Sequence, residues 1–409
     1  MMTNTVTTNK VQQSISRNKL LRVAGVGWLF DAMDVGILSF VIAALAVEWG
    51  LTPSQAGWIG SVNSIGMAVG ALIFGVLADK VGRKQIFMWT LVLFSIASGL
   101  SAFTTTLSAF MALRFLVGMG LGGELPVAST LVSESVEAKE RGRVVVLLES
   151  FWAAGWLIAA LISYFVIPSW GWRIALLLTA IPAIYAIYLR WHLPDSPQFV
   201  VKAESKKRSV VQNVREVWSK KYVRSTLMLW VLWFTVVFSY YGMFLWLPSV
   251  MVSKGFDMIT SFKYVLIMTL AQLPGYFTAA WFIEKFGRKF VLVSYLIGTA
   301  VSAFIFGNAE TMVVLLTSGM FLSFFNLGAW GALYAYTPEQ YPAVIRGTGA
   351  GMAAAVGRIG GIFGPLLVGF LLTAGYDIGF IFAIFCVAII IGVVGVIFLG
   401  QETKQIQLD

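Results

Sequence analysis

Gly75-Val76-Leu77-Ala78-Asp79-Lys80-Val81-Gly82-Arg83-Lys84 closes one apolar stretch of this chain, and Ala280-Trp281-Phe282-Ile283-Glu284-Lys285-Phe286-Gly287-Arg288-Lys289 closes another. The strings lie 205 residues apart and share an acid followed by Lys and then Gly-Arg-Lys in one register. A second pair repeats at the same offset of 205: Glu134 with Arg141-Gly142, and Glu339 with Arg346-Gly347. That offset is half of the 409-residue chain, so the sequence reads as a duplicated unit.

Outward from these strings the chain is apolar. Hydrophobic residues make up 58% and charged residues 12%, where a soluble domain carries about 25% charged. Mean hydropathy is +0.83. A water-soluble globule cannot hide that much apolar surface, so lipid is the expected solvent. Apolar runs near 20 residues predict twelve spans. The first six are 21–47, 57–78, 86–104, 107–133, 143–166 and 172–191. The second six are 224–252, 261–283, 290–307, 311–335, 348–372 and 377–399. The expected fold is therefore an all-α membrane protein of twelve transmembrane helices in two six-helix bundles. Residues 1–191 and 224–409 form the bundles, and the polar segment 192–223 links them.

A net charge of +10 would suggest a nucleic-acid partner in a soluble protein. Here the basic residues sit between spans. With both termini on one side, that side holds 24 of the 29 Lys and Arg; Arg173, Lys254 and Lys263 lie opposite, and Arg114 and Arg358 fall inside spans. The positive-inside rule then predicts cytoplasmic termini. His192 is the single histidine and Cys386 the single cysteine, which excludes a histidine triad, a cysteine cluster and an intrachain disulfide. No phosphate loop is present, and no enzyme, cofactor or metal is expected. The polar start of the chain predicts that the first span is retained.

The Gly-x-Leu-Ala-Asp-x-x-Gly-Arg-Lys string resembles the loop signature of the major facilitator superfamily. The Arg114…Gly118-x-Gly120 run and the two Glu/Arg-Gly pairs are similar to its sugar and organic-ion branch, and Asp31-Ala32-Met33-Asp34 resembles the first-span Asp-x-x-Asp of aromatic-acid/proton symporters. Within that branch the chain looks most similar to bacterial niacin permeases. The resemblance implies a multi-pass bacterial plasma-membrane transporter, a single chain as working unit, nicotinate as the small organic anion and a proton as the coupling ion. The acid and arginine repeats (Asp79, Arg83, Glu284, Arg288, Glu134, Arg141, Glu339 and Arg346) are expected to latch helix ends.

Charge inside a bilayer is costly, so intramembrane ionisable groups are functional candidates. They are Asp31, Asp34, Arg114, Glu124, Glu149 and Arg358. At ~1.5 Å per residue, Asp34 and Arg358 lie about 18 Å from the basic residues at their helix ends, and Glu124 lies about 15 Å from Glu134. All three are then near the midplane of a ~30 Å core, where a two-half transporter binds substrate. Arg358 offers a fork that fits a carboxylate; the alternative is an ion pair with Asp31, Asp34 or Glu149. Asp34 is expected among the substrate-binding residues with Arg358 and is also the first candidate for the proton, with Asp31 and Glu124 behind it. Glu124 is equally a partner for Arg114, and Glu149 reads as a packing or gating charge.

The Gly118-Met119-Gly120-Leu121-Gly122-Gly123 run matches a dinucleotide fingerprint by spacing alone; it lies inside an apolar span with no strand before it, so close helix packing is the expected role. Trp28, Asn63, Tyr240, Tyr241, Asn326, Trp330 and Tyr334 lie on spans expected to line a cavity and suit a flat ring. A sugar or drug porter of the same fold stays open as an alternative. A membrane receptor that binds without flux is disfavoured by the lack of a long extramembrane segment.

Overall fold

The computed structural model describes residues 17–81, 83–134, 141–182, 184, 185, 188 and 210–404. The first half contains α1 (Arg17–Glu48), α2 (Pro53–Val81), α3 (Arg83–Ser101), α4 (Leu107–Glu134) and α5 (Arg141–Leu178). The second half contains α6 (Val210–Val217), α7 (Val223–Phe244), α8 (Leu247–Ser253), α9 (Met258–Leu270), α10 (Gln272–Phe286), α11 (Arg288–Gly307), α12 (Met312–Glu339), α13 (Ala343–Thr373) and α14 (Ile378–Leu399). Most of the expected linker, 192–209, lies outside the described residues.

Among the described residues nine stretches are long and apolar enough to cross a bilayer, and Met88–Ser101 and Leu107–Gly122 are shorter apolar stretches of α3 and α4. One of the nine, Arg143–Leu178, contains Gly171 at φ 78°, which divides α5 into two helices, the second of them the start of the sixth span. Together these make the twelve transmembrane helices. The expected gap at 167–171 is thus shorter than the sequence suggests. Pro168 is accommodated in the helix, and the left-handed glycine alone makes the turn. Span seven comprises α7 and α8, interrupted at Leu245–Trp246 before Pro248. Span eight comprises α9 and α10, interrupted at Ala271.

Helix–helix contact follows the duplication. In the first half α1 packs on α5 and α4 packs on α2 and α3; in the second α7 packs on α13 and α14, and α12 on α10 and α11. Across the halves α2 meets α13, and α5 meets α9, α10 and α12. Small residues set these distances. A Cβ on Gly118 or Gly122 of α4 would run into the carbonyls of Asn63 and Met67 on α2, while Gly120 faces Phe94 and Thr90 of α3. The alternate glycines of the Gly-rich run therefore serve two different neighbours, and the run is a packing surface.

Charge ties helix ends of the second half to the segment after α14. Arg288 Nη1 lies 3.0 Å from Glu284 Oε2, and its Nε lies 3.1 Å from Glu339 Oε2. Glu402 accepts the backbone N–H groups of Arg288 and Lys289 at 2.8 and 3.1 Å. Glu284 also accepts the backbone N–H of Arg143 at 3.2 Å, joining the second half to the first on the termini-bearing face. On the opposite face Thr373 Oγ1 accepts the backbone N–H of Ser54 at 3.1 Å. The halves therefore touch at both ends.

Candidate functional site

The intramembrane charged groups whose side chains are described divide by helix face. Asp34 of α1 and Arg114 of α4 are enclosed inside the first half, with Arg114 Nη1 3.3 Å from Asp34 Oδ2 and neither side chain exposed. Arg114 Nη2 donates to Ser98 Oγ at 2.7 Å and Ser101 Oγ at 3.1 Å. Ser98 donates to Asp34 Oδ1 at 2.5 Å, and Thr179 donates to Ser98 at 2.6 Å. Four helical segments thus supply one polar nest in an apolar bundle, so each charge and hydroxyl offsets the desolvation of another. Arg114 finds Asp34 as its partner, a pairing that depth alone does not specify. The hydroxyls of α3 and of the segment after Gly171 were outside the sequence expectation because neither carries an ionisable residue there.

Arg358 of α13 lies elsewhere, at the seam between the halves. Gly360 and Gly364 of α13 sit against the backbone of Phe234 and Phe238, and Gly357 against Trp233 and Val237, so α13 lies close along α7. The guanidinium is part-buried and approaches Met67 Sδ of α2 at 3.6 Å. It lies near Tyr241, which is also within electrostatic reach of Asp31. Tyr241 Oη approaches the same Met67 sulfur at 3.9 Å. A thioether is a weak acceptor, so Arg358 keeps capacity for a stronger one.

Between Arg358 and α5 stands a cluster of rings. Tyr334 is 6.1 Å from Trp28 and 5.0 Å from Trp233 between ring centroids. Tyr240 is 4.8 Å from Trp330 and 5.2 Å from Tyr241. Trp152 Nε1 donates to Tyr240 Oη at 2.8 Å, tying α5 to α7 across the halves. Trp28 Nε1 donates to Glu149 Oε2 at 3.2 Å, which brings Glu149 into the same cluster. Trp152 and Trp156 were absent from the sequence expectation, yet they follow Glu149 by three and seven residues and share its helix face.

Several polar atoms buried here have no hydrogen-bond partner among the described residues. They are Asn63 Oδ1, Glu149 Oε1, Trp156 Nε1, Tyr276 Oη, Asn326 Oδ1 and Trp330 Nε1. Buried polar groups are normally matched, and a ligand or water at the seam would match these. The arrangement offers one guanidinium, flat aromatic walls and a few unmatched donors and acceptors.

The remaining expected residues fall into two sets. Glu284, Arg288 and Glu339 form the charge cluster described above, while Arg346 Nε donates to the carbonyls of Pro338 and Tyr341 at 3.2 and 3.4 Å. Asp79, Arg83, Glu124, Glu134 and Arg141 fall in helices, and their side chains lie outside the described set.

The duplicated twelve-helix fold with a central seam defines a membrane transporter, and the family model described as Major Facilitator Superfamily matches residues 25–275 and 264–408. The chain belongs to that superfamily; it is a multi-pass plasma-membrane protein of a transporter family and not an enzyme. It is 67% identical over 398 residues to the niacin/nicotinamide transporter NiaP of Bacillus subtilis (strain 168), covering 97% of this chain and 99% of the relative. It is 47% identical over 419 residues to the niacin transporter NiaP of Acinetobacter baylyi (strain ATCC 33305 / BD413 / ADP1), covering 95% of each. Among solved structures it resembles the xylose transporter XylE from E. coli, with a TM-score of 0.78 and 20% identity over 96% of this chain and 99% of that one. That last likeness concerns the fold alone.

Proposed function

We propose that the chain imports nicotinate, or a closely related aromatic carboxylate, together with a proton, across the plasma membrane of a bacterium. Both termini face the cytoplasm, and a single chain is the working unit. The observation that carries the reading is Arg358: a guanidinium at the seam between the halves, beside an aromatic cluster, with a thioether at 3.6 Å where a carboxylate would bind better. The relatives' names, niacin/nicotinamide transporter at 67% identity and niacin transporter at 47%, both include that carboxylate. Residues 1–191 and 224–409 act as the two rocking bodies, and the seam of α2–α13 and α5–α10 opens on alternate faces.

The proton site is Asp34. Its pairing with Arg114 makes the nest neutral while the carboxylate is ionised. Protonating Asp34 breaks the ion pair and leaves Arg114 to its hydroxyl partners, which favours a different arrangement of α1 against α3 and α4. A proton taken up here thereby biases the position of α1, whose Trp28 lines the substrate seam.

The test is uptake of labelled nicotinate by the purified protein in proteoliposomes under an inward proton gradient. Gradient-driven accumulation above that of empty vesicles supports the reading. Absence of uptake by folded protein, with or without the gradient, removes nicotinate.

A further inference from the structure

Glu149 is a buried acid at the seam that this scheme does not use. Its side chain has no exposed area and it sits on α5, facing the second half. Oε2 accepts the Trp28 indole N–H at 3.2 Å, and Oε1 has no partner among the described residues. Its described titratable neighbours are Tyr276 on α10 and Tyr334 on α12, both neutral groups. The Trp330 indole of α12 is also close, with its own N–H unmatched. Among the described residues no cation lies at ion-pair distance.

An ionised carboxylate held out of water with only indole N–H groups beside it, those of Trp28 and Trp330, is a costly arrangement, whereas a carboxylic acid there is cheap. The acid has one further property. With Oε2 engaged by Trp28, the unmatched oxygen can carry the hydrogen and point it as a donor. Arg358 meets the aromatic cluster beside Tyr241, through the Met67 sulfur that both approach, and Glu149 meets it at Trp28, which packs on Tyr334, so the two groups border one cluster at different side chains. A substrate whose carboxylate docks on Arg358 and whose ring enters this cluster therefore lies among the side chains that Glu149 borders.

We propose that Glu149 is a specificity-determining residue: as a neutral acid it donates a hydrogen bond to the ring nitrogen of a pyridine carboxylate. The hydrogen stays on Glu149, so the step is recognition and no proton is transferred. The inference rests on the aromatic-carboxylate reading of Arg358 and goes further by choosing among rings. A site that donates to a ring nitrogen prefers pyridine carboxylate to benzoate, because a benzene ring leaves the buried donor unmatched.

The test measures competition by nicotinate and by benzoate for labelled nicotinate bound to purified protein, in wild type, Glu149→Gln and Glu149→Met. Wild type is expected to favour nicotinate by about tenfold or more. Glu149→Met, of similar length and without a donor, is expected to bring the two ligands within about threefold while benzoate binding persists. Glu149→Gln retains an N–H donor and is expected to keep the preference. An undiminished preference in Glu149→Met overturns the role of Glu149 and leaves the aromatic-carboxylate site standing. Loss of the preference in Glu149→Gln as well overturns the donor assignment, and this arm decides the matter if the Met variant does not fold. Wild type that binds neither ligand overturns the substrate reading and the inference with it.

Discussion

Asp34 and Arg114 bury opposite charges 3.3 Å apart with no exposed area on either side chain, and Ser98 bonds to both. Such a pair is easily misjudged as a source of stability. Desolvation of the two ions consumes most of their attraction, so the pair contributes little against an apolar equivalent, while an unpaired member is severely unfavourable. Arg114→Met is therefore expected to lower stability by about 3–5 kcal/mol through the orphaned carboxylate. The double variant Asp34→Asn with Arg114→Met is expected to recover a large part of that loss. Thermal unfolding in detergent of the wild type, both single variants and the double variant checks this through the coupling.

Asp34 should also separate exchange from accumulation. Asp34→Asn is expected to exchange labelled for unlabelled nicotinate across the vesicle membrane, because Arg358 and the aromatic cluster are untouched. It is expected not to accumulate substrate under a proton gradient. Uphill accumulation by Asp34→Asn moves the proton site elsewhere.

Glycine substitutions should sort by what a Cβ would meet. Gly122→Ala pushes a methyl group into the Met67 backbone and is expected to cost about 1–3 kcal/mol. At Gly351 nothing lies within 4 Å of an added Cβ, so Gly351→Ala is expected to be neutral or to gain up to about 1 kcal/mol from helix propensity. Melting temperatures of the two variants, measured side by side, test the α2–α4 packing surface.

The tie between α5 and α7 is narrow enough to test with one atom. Tyr240→Phe keeps the ring and removes the one oxygen that accepts from Trp152 Nε1 at 2.8 Å. Substrate affinity is expected to fall several-fold while stability changes by only about 1 kcal/mol. Equal affinity in the variant would mean that Tyr240 is not positioned by this bond.

The fold was readable because a membrane imposes length and charge rules that act along one dimension. The repeated Gly82-Arg83-Lys84 and Gly287-Arg288-Lys289 mark equivalent helix junctions whatever surrounds them. The same one-dimensional rules single out Asp34 and Arg358 as charges inside spans. Rotation about the helix axis was not readable. α1 is enclosed from Asp31 through Leu45, so it has no amphipathic stripe to show which way Asp34 points. Asp34 consequently turns into the first half towards Arg114, and Arg358 faces the seam. Glu149 carried a usable signal that spacing could have supplied: Trp152 and Trp156 lie on its face, which marks that face as aromatic and inward. The breaks at Ala271 and Leu245 had no comparable signature, since tertiary packing of α9, α10 and α8 decides where those helices bend.

The most direct measurement of the central claim is nicotinate transport by Arg358→Ala and Arg358→Lys in proteoliposomes, beside the wild type and with nicotinamide as a competitor. Docking of a carboxylate on Arg358 predicts that Arg358→Ala loses nicotinate uptake, that Arg358→Lys retains a weak fraction through its charge, and that nicotinamide competes poorly in the wild type. Nicotinate uptake by properly inserted Arg358→Ala at the wild-type rate and affinity would contradict the account.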